Sequence, residues 1–177
     1  HGSVETLIER LEANPVCIQL PIGSEDRFQG VIDLISMKAI TRPESVSDKS
    51  STGDKMTVGE VPADLLEEAR AFREKLLDKV TEVDDALADK YLLGEEISED
   101  EIITALRKGT IELKFFPVLC GAAFKKKGVQ PLLDAVLRFL PSPLDLPSVH
   151  GKDPVKEEKE IECPTDWDAN LAALSFK

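Results

Sequence analysis

Histidine is almost absent. Two occur in 177 residues, His1 and His150, and His1 stands in an opening "HGS" that reads as the remnant of a tag. One usable imidazole cannot assemble a histidine-ligated metal centre or a Ser-His-Asp triad, so those chemistries are excluded. Cysteine is scarce as well: Cys17, Cys120 and Cys163 are far apart and show no C-x-x-C spacing. Zinc and paired redox motifs therefore have no ligands, and reduced thiols in the cytosol are the expected state. No apolar run approaches the roughly 18 residues of a membrane helix, and no signal peptide is expected at the start. Basic charge falls short too, with 22 Lys or Arg against 34 Asp or Glu and a net charge of -12. Free DNA and anionic membranes would be repelled, leaving a basic partner or none.

What remains is ordinary globular material. A chain of this length fits one large or two small domains and buries about 70% of its unfolded surface. Leu7, Ile8 and Leu11 predict a short helix over 4–12, stopped by "ANPV". "VCIQLPI" and "VIDLISMKAI", separated by "GSEDRFQG", read as two antiparallel strands. Residues 42–54 have little to bury and read as a mobile loop, after which "KMTVGEV" returns as a third strand. From Pro62 onward Leu65, Ala69, Phe72, Leu76, Val80, Val83 and Leu87 recur every three or four residues, the stripe of a helix or of two in succession. Thr81 with Asp84 resembles a second start signal, and "SEDE" at Ser98–Glu101 is a capping box for a third helix closing at Gly109. "KFFPVLC" is then a buried strand, "VQPLLDAVLRFL" a helix stopped by "PSP", residues 151–163 a charged linker, and "NLAALSFK" the beginning of a strand.

The acidity is concentrated. Glu60 to Glu101 hold fifteen Asp or Glu against five Lys or Arg, a net of -10. On a helix Glu67, Glu74 and Asp78 fall within about 40° of one another, with Glu82 nearby. Like charges four apart repel by a few tenths of a kcal/mol, and Arg70 lies where it could offset part of that. Two readings stand: a solvated face laced with pairs, or a docking face on which charge speeds association with a basic surface.

"VLCGAAFKKKGV" offers no acid, base or nucleophile. It fits a plain strand-to-helix turn, or a ligand loop at the carboxyl end of a sheet strand that works through its main chain. No G-x-x-x-x-G-K-[ST] is present to cradle phosphates or hold a magnesium ion. Asn14 and Asn170 are the only asparagines, and neither begins N-K-x-D.

Several segments in succession, "RLEANPVCIQLPIGSEDRFQGVIDLISMKAI", "VPADLLEEAR", "KYLLGEEISEDEI", "VLCGAAFKKKGVQPLLDAV" and "LPSPLDLP", resemble bacterial-type translation elongation factor G over residues 4–177. The resemblance implies an α/β chain: an α+β insert with a small, mostly antiparallel sheet and three acidic helices, followed by the last strand and helix of a P-loop-type GTPase domain. The implied divisions are a tag remnant at 1–3 and the end of a GTPase-domain helix at 4–14. A G-prime insert follows at 15–109, the final GTPase strand, guanine loop and helix at 110–145, a linker at 146–165 and the start of a β-barrel domain at 166–177. In the loop, Gly121, Ala122, Ala123, Phe124 and Lys125 would be the guanine-recognition element, with the Ala123 N–H facing the base carbonyl and Lys125 close to the base. The family usually has Ser-Ala where this chain has Ala122-Ala123, so support from a serine hydroxyl is lost. The parent would be a cytoplasmic GTP hydrolase using GTP and magnesium to drive translocation on the ribosome. The fragment would begin just after N-K-x-D, hold no catalytic residue, metal or cofactor of its own, and bind GTP negligibly. Glu67, Glu74, Asp78 and Glu82 would then meet the C-terminal domain of the large-subunit stalk protein. Two alternatives stand beside this: an acidic scaffold without a partner, and a residual nucleotide-binding module.

Overall fold

The computed structural model describes every residue except His1, 42–55, 154–158, Trp167, Asn170, Ala172 and 174–177. The loop expected at 42–54 and the strand expected in "NLAALSFK" lie outside the described residues. Two compact units divide the chain, residues 1–140 and residues 141–177.

In the first unit, helix α1 (Gly2–Leu11) leads into strand β1 (Pro15–Cys17), and strands β2 (Gln19–Ile22), β3 (Gly30–Asp33), β4 (Lys38–Thr41) and β5 (Thr57–Glu60) follow. Helices α2 (Leu66–Thr81), α3 (Asp85–Leu92) and α4 (Glu99–Ile111) come next, then β6 (Phe116–Val118) and α5 (Val129–Phe139). The fold is mixed α/β, with a small antiparallel sheet in the order β2-β3-β4-β5 and five helices among the described residues.

Two expected strands are corrected. "VCIQLPI" serves two sheets: β1 pairs in parallel with β6, Cys17 opposite Val118, while β2 pairs antiparallel with β3. The switch falls at Ile18, whose N–H donates to Val118 O while its carbonyl accepts from Leu34 N. Residues 15–17, assigned to the insert on sequence grounds, thus pair with the strand that follows it. "VIDLISMKAI" is a hairpin instead of one strand. Asp33 accepts from Ile35 N at 3.1 Å and Ser36 Oγ at 2.7 Å, and Met37 takes φ 53°, which turns the chain back into β4. The apolar residues of that turn, Leu34 and Ile35, are buried, and Arg73 Nη1 donates to both of their carbonyls.

The helical stripe closes this core. Ala69, Leu76, Val80, Val83 and Leu87 are buried, with Leu65 and Phe72 packed at its margin. A fully buried side chain of Leu or Val size contributes about 1.5–3 kcal/mol relative to exposure. The helix starts at Leu66, not at Pro62, because Leu65 N–H first closes a turn onto Pro62 O. The break after α2 falls where expected, and Asp84 is the cap of α3, accepting from Ala86 N and Leu87 N. The capping box of α4 is present, Ser98 and Glu101 each bonding the other's backbone N–H. That helix runs on to Ile111, because Gly109 sits against the buried ring of Phe115 rather than ending it. Helix α5 packs on α4 and buries Pro131, Ala135 and Phe139, and Arg107 Nη1 donates to the terminal carbonyls of Arg138 at 2.8 Å and Leu140 at 3.3 Å.

In the second unit, β7 (Val149–Lys152) and β8 (Glu160–Cys163) form an antiparallel pair where a linker was expected. Its register explains the error. Val149 meets Cys163 and Gly151 meets Ile161, while His150 faces Glu162 and Lys152 faces Glu160. A run that reads as uniformly charged is thus an alternating ribbon, with Lys152 and Glu160 of opposite sign set across it.

Candidate functional site

Phe115, fully buried, anchors the start of β6, and the strand delivers the chain to a loop at its carboxyl end. Cys120 N–H donates to Gln19 Oε1 at 3.4 Å. Ala122 and Lys127 then form an antiparallel bridge, Ala122 N to Lys127 O at 2.9 Å and Lys127 N to Ala122 O at 3.2 Å. Between them lies a 3₁₀ turn, Ala123–Lys125, left through Lys126 at φ 54°. Gly128, at φ 78°, opens α5. A Cβ there would lie 2.8 Å from Cys120 O and 2.9 Å from Gly121 Cα, so both the dihedral and the crowding require glycine.

This turn leaves two main-chain donors without a main-chain partner. Among the described residues the N–H groups of Ala123 and Phe124 meet no main-chain acceptor, Phe124 is exposed and Ala123 is exposed beside it. The three lysines separate. Lys125 Nζ lies 3.0 Å from Asp26 Oδ1 and 3.3 Å from Glu25 O, Lys127 Nζ donates to Phe28 O at 2.7 Å, and Lys126 is exposed. Lys125 is therefore directed toward the 3₁₀ turn Glu25–Arg27. A cavity of about 530 Å³ lies between the loop and the sheet, bounded by Val31, Ile40 and Met56 on one side and Ala123, Lys126 and Pro131 on the other. Nothing here supplies a nucleophile. Burial, with Cys17 adding to it, pushes the Cys120 thiol up to about 11, and burial raises Cys17 as well. Both stay neutral and unreactive at ordinary pH. Among the described residues no cluster of His, Cys, Asp or Glu could hold a metal ion, and no helix is long and apolar enough to cross a membrane.

The acidic residues of α2 are not equivalent. Glu67, Glu74 and Asp78 lie on the outer side of the helix, but Asp78 lies near the Tyr91 hydroxyl, whose pKa it raises. Glu82 caps the helix end and pairs with Lys79 at 2.8 Å. Arg70 forms no ion pair with Glu67 or Glu74 among the described residues, and both acids are exposed. Sequence reasoning missed Gln19 and Lys127 as elements of the loop. A signal existed for the first: a glutamine inside the apolar run "VCIQLPI" is buried in the structure and needs a partner.

No family model matches the chain. Its fold is similar to that in a crystal structure of a protein from Thermus thermophilus, with a TM-score of 0.64 and 26% identity, 83% of this chain covering 21% of that one. Fold and loop together define a mixed α/β segment of the kind carried within a much longer chain. In sequence it is 51% identical over 175 residues to elongation factor G 1 of Bdellovibrio bacteriovorus, a match to 99% of this chain and 24% of the relative. The chain is thus similar from end to end to a segment of translation elongation factor G, and it spans about a quarter of that relative's length.

Proposed function

We propose that the chain is the G-prime insert and the end of the GTPase domain of a cytoplasmic elongation factor G, the GTP hydrolase that moves tRNA and mRNA through the ribosome. The observation that carries this reading is the 51% identity sustained over 99% of the chain. In the parent, bound GTP supplies the phosphoanhydride that is cleaved. The Ala123 N–H, which meets no main-chain acceptor among the described residues, suits a purine carbonyl at one end of it. Phosphates and magnesium would be held elsewhere in the parent, since no Gly-rich cradle with its lysine and hydroxyl exists here. The chain alone is therefore an interaction module that retains Gly121–Lys125 of the nucleotide site.

Its partner in this reading is the C-terminal domain of the ribosomal stalk protein, met by the acidic face of α2. What supports it is that Glu67 and Glu74 are exposed and enter no ion pair among the described residues. Such charge acts chiefly on the rate of encounter. Reversing both, Glu67→Lys with Glu74→Lys, in the full-length parent is expected to slow stopped-flow association with the stalk domain about tenfold at low salt, with the difference fading as salt rises. Association unchanged at low salt overturns the docking role. Asp78 and Glu82 are left intact in this test because they have intramolecular duties.

A further inference from the structure

The loop at 120–127 has little of its own to fix where it points. Its internal bonds are one bridge and a three-residue turn, Phe124 is fully exposed, and no residue from Gly121 to Lys127 is buried. Three polar ties reach it instead, all from a segment about a hundred residues earlier in the chain. Gln19 Oε1 takes the Cys120 N–H at the entrance, Asp26 and the Glu25 carbonyl take Lys125 at the tip, and the Phe28 carbonyl takes Lys127 at the exit. The segment providing them is anchored at both ends of its exposed turn. Phe28 is buried, Gln29 N–H closes onto Ile22 O at 2.8 Å, and Gly23 at φ 80° packs so closely on Arg27 that a Cβ would lie 2.2 Å from its carbonyl oxygen.

We propose that Lys127 and Gln19 are positioning residues, through which the segment 19–28 sets the orientation of the Ala122–Lys127 loop and of its Ala123 N–H. The ties are unequal. Asp26 is fully exposed, so the Lys125 pair is screened by solvent. Lys127 is half-buried and donates a charge-assisted bond to the carbonyl of a buried residue, which makes it the principal tie. The positioning can be tested without any nucleotide; only its consequence for guanine rests on the function proposed above.

Amide hydrogen exchange on the 177-residue chain measures it. Lys127→Met keeps the aliphatic stem and removes the donor. The amides of Ala122, Lys125, Lys126 and Lys127 are expected to exchange about tenfold faster, while those of Ile102 to Leu106 stay within about twofold. Lys127→Arg, which restores a donor, is expected to recover most of the protection, and Gln19→Leu to act in the same direction as Lys127→Met, more weakly. Unchanged loop amides in Lys127→Met overturn the proposal, as does equal acceleration in loop and helices, which would mean general destabilisation. Guanine nucleotide release from the full-length parent then separates the two ideas. Faster release in Lys127→Met supports both. Loosened loop amides with unchanged release uphold the positioning and overturn Ala123 as a guanine contact.

Discussion

Helices α2 and α5 are both amphipathic, yet the structure treats their apolar residues differently. In α2 the stripe is consumed: Ala69, Leu76 and Val80 are buried beneath the sheet strand β1 and against α4. In α5 one side is consumed by α4, while Leu133 remains 57% exposed and Leu137 79%. Periodicity records that a helix has apolar positions, whereas burial depends on whether the chain supplies something to cover them. The largest test breaks this contrast directly. Leu76→Ala should cost about 2–5 kcal/mol in urea unfolding, because the site is enclosed and a cavity remains. Leu137→Ala should change stability by no more than about 0.5 kcal/mol. Comparable losses at the two positions would mean that the outer side of α5 is covered in solution, and the contrast would fail.

A smaller version of the same lesson lies at the end of α4, where Gly109 and Leu113 have exchanged the roles their residue types suggest. Gly109 is helical, and a Cβ there would lie 2.3 Å and 2.4 Å from Cζ and Cε1 of Phe115. Leu113 takes the left-handed conformation at φ 56° that ends the helix, with Lys114 N–H bonded to Gly109 O at 2.9 Å and Leu113 N–H to Thr110 O at 3.1 Å. That pair of bonds is the Schellman closure that usually selects glycine. Gly109→Ala is expected to destabilise by about 1–3 kcal/mol, the crowding outweighing the roughly 1 kcal/mol gained in helix propensity. Leu113→Gly is expected to stabilise by about 0.5–1 kcal/mol, since it relieves strain and exposes no new apolar surface. Thermal unfolding of the two variants decides it, and a stabilising Gly109→Ala would show that Phe115 yields easily.

These pairs also show which parts of the molecule can be read from residues in order. Caps and stripes are local: Asp84 and Ser98 bond N–H groups two or three residues away, so the break after α2 and the start of α4 were legible. The acidic face is legible in the same way, but letters alone do not show that Asp78 neighbours Tyr91 and that Glu82 pairs with Lys79. What the sequence hid depends on partners far along the chain. The division of "VCIQLPI" between two sheets needs Val118 and Asp33, each outside any local window. The turn inside "VIDLISMKAI" was masked because Leu34 and Ile35 are as apolar as strand residues, being buried for tertiary reasons. Lysines 125 to 127 are alike as letters, and only the placement of Asp26 and Phe28 distinguishes them.

The last contrast is between acids that are held and acids that are not. Glu101 accepts from Ser98 N at 3.0 Å and Ser98 Oγ at 2.9 Å through one oxygen, and from Lys90 Nζ through the other. These bonds, the lysine's foremost, lower its carboxyl from 4.5 to about 2. A depressed folded pKa favours the folded state wherever the carboxylate is charged. Its contribution is therefore complete above about pH 4.5 and disappears as the pH falls toward about 2. Lys90, shifted up by the same pair, stays charged throughout that interval. Glu101→Gln keeps an oxygen for the Ser98 N–H but loses the charge. The stability gap between parent and variant, followed by thermal midpoints from about pH 6 downward, should hold constant to about pH 4.5 and then close as both approach about pH 2. It should also shrink with added salt, because the pair is only partly buried. A Glu101→Gln gap independent of pH would mean that the carboxylate acts only as a capping oxygen and that its charge adds nothing.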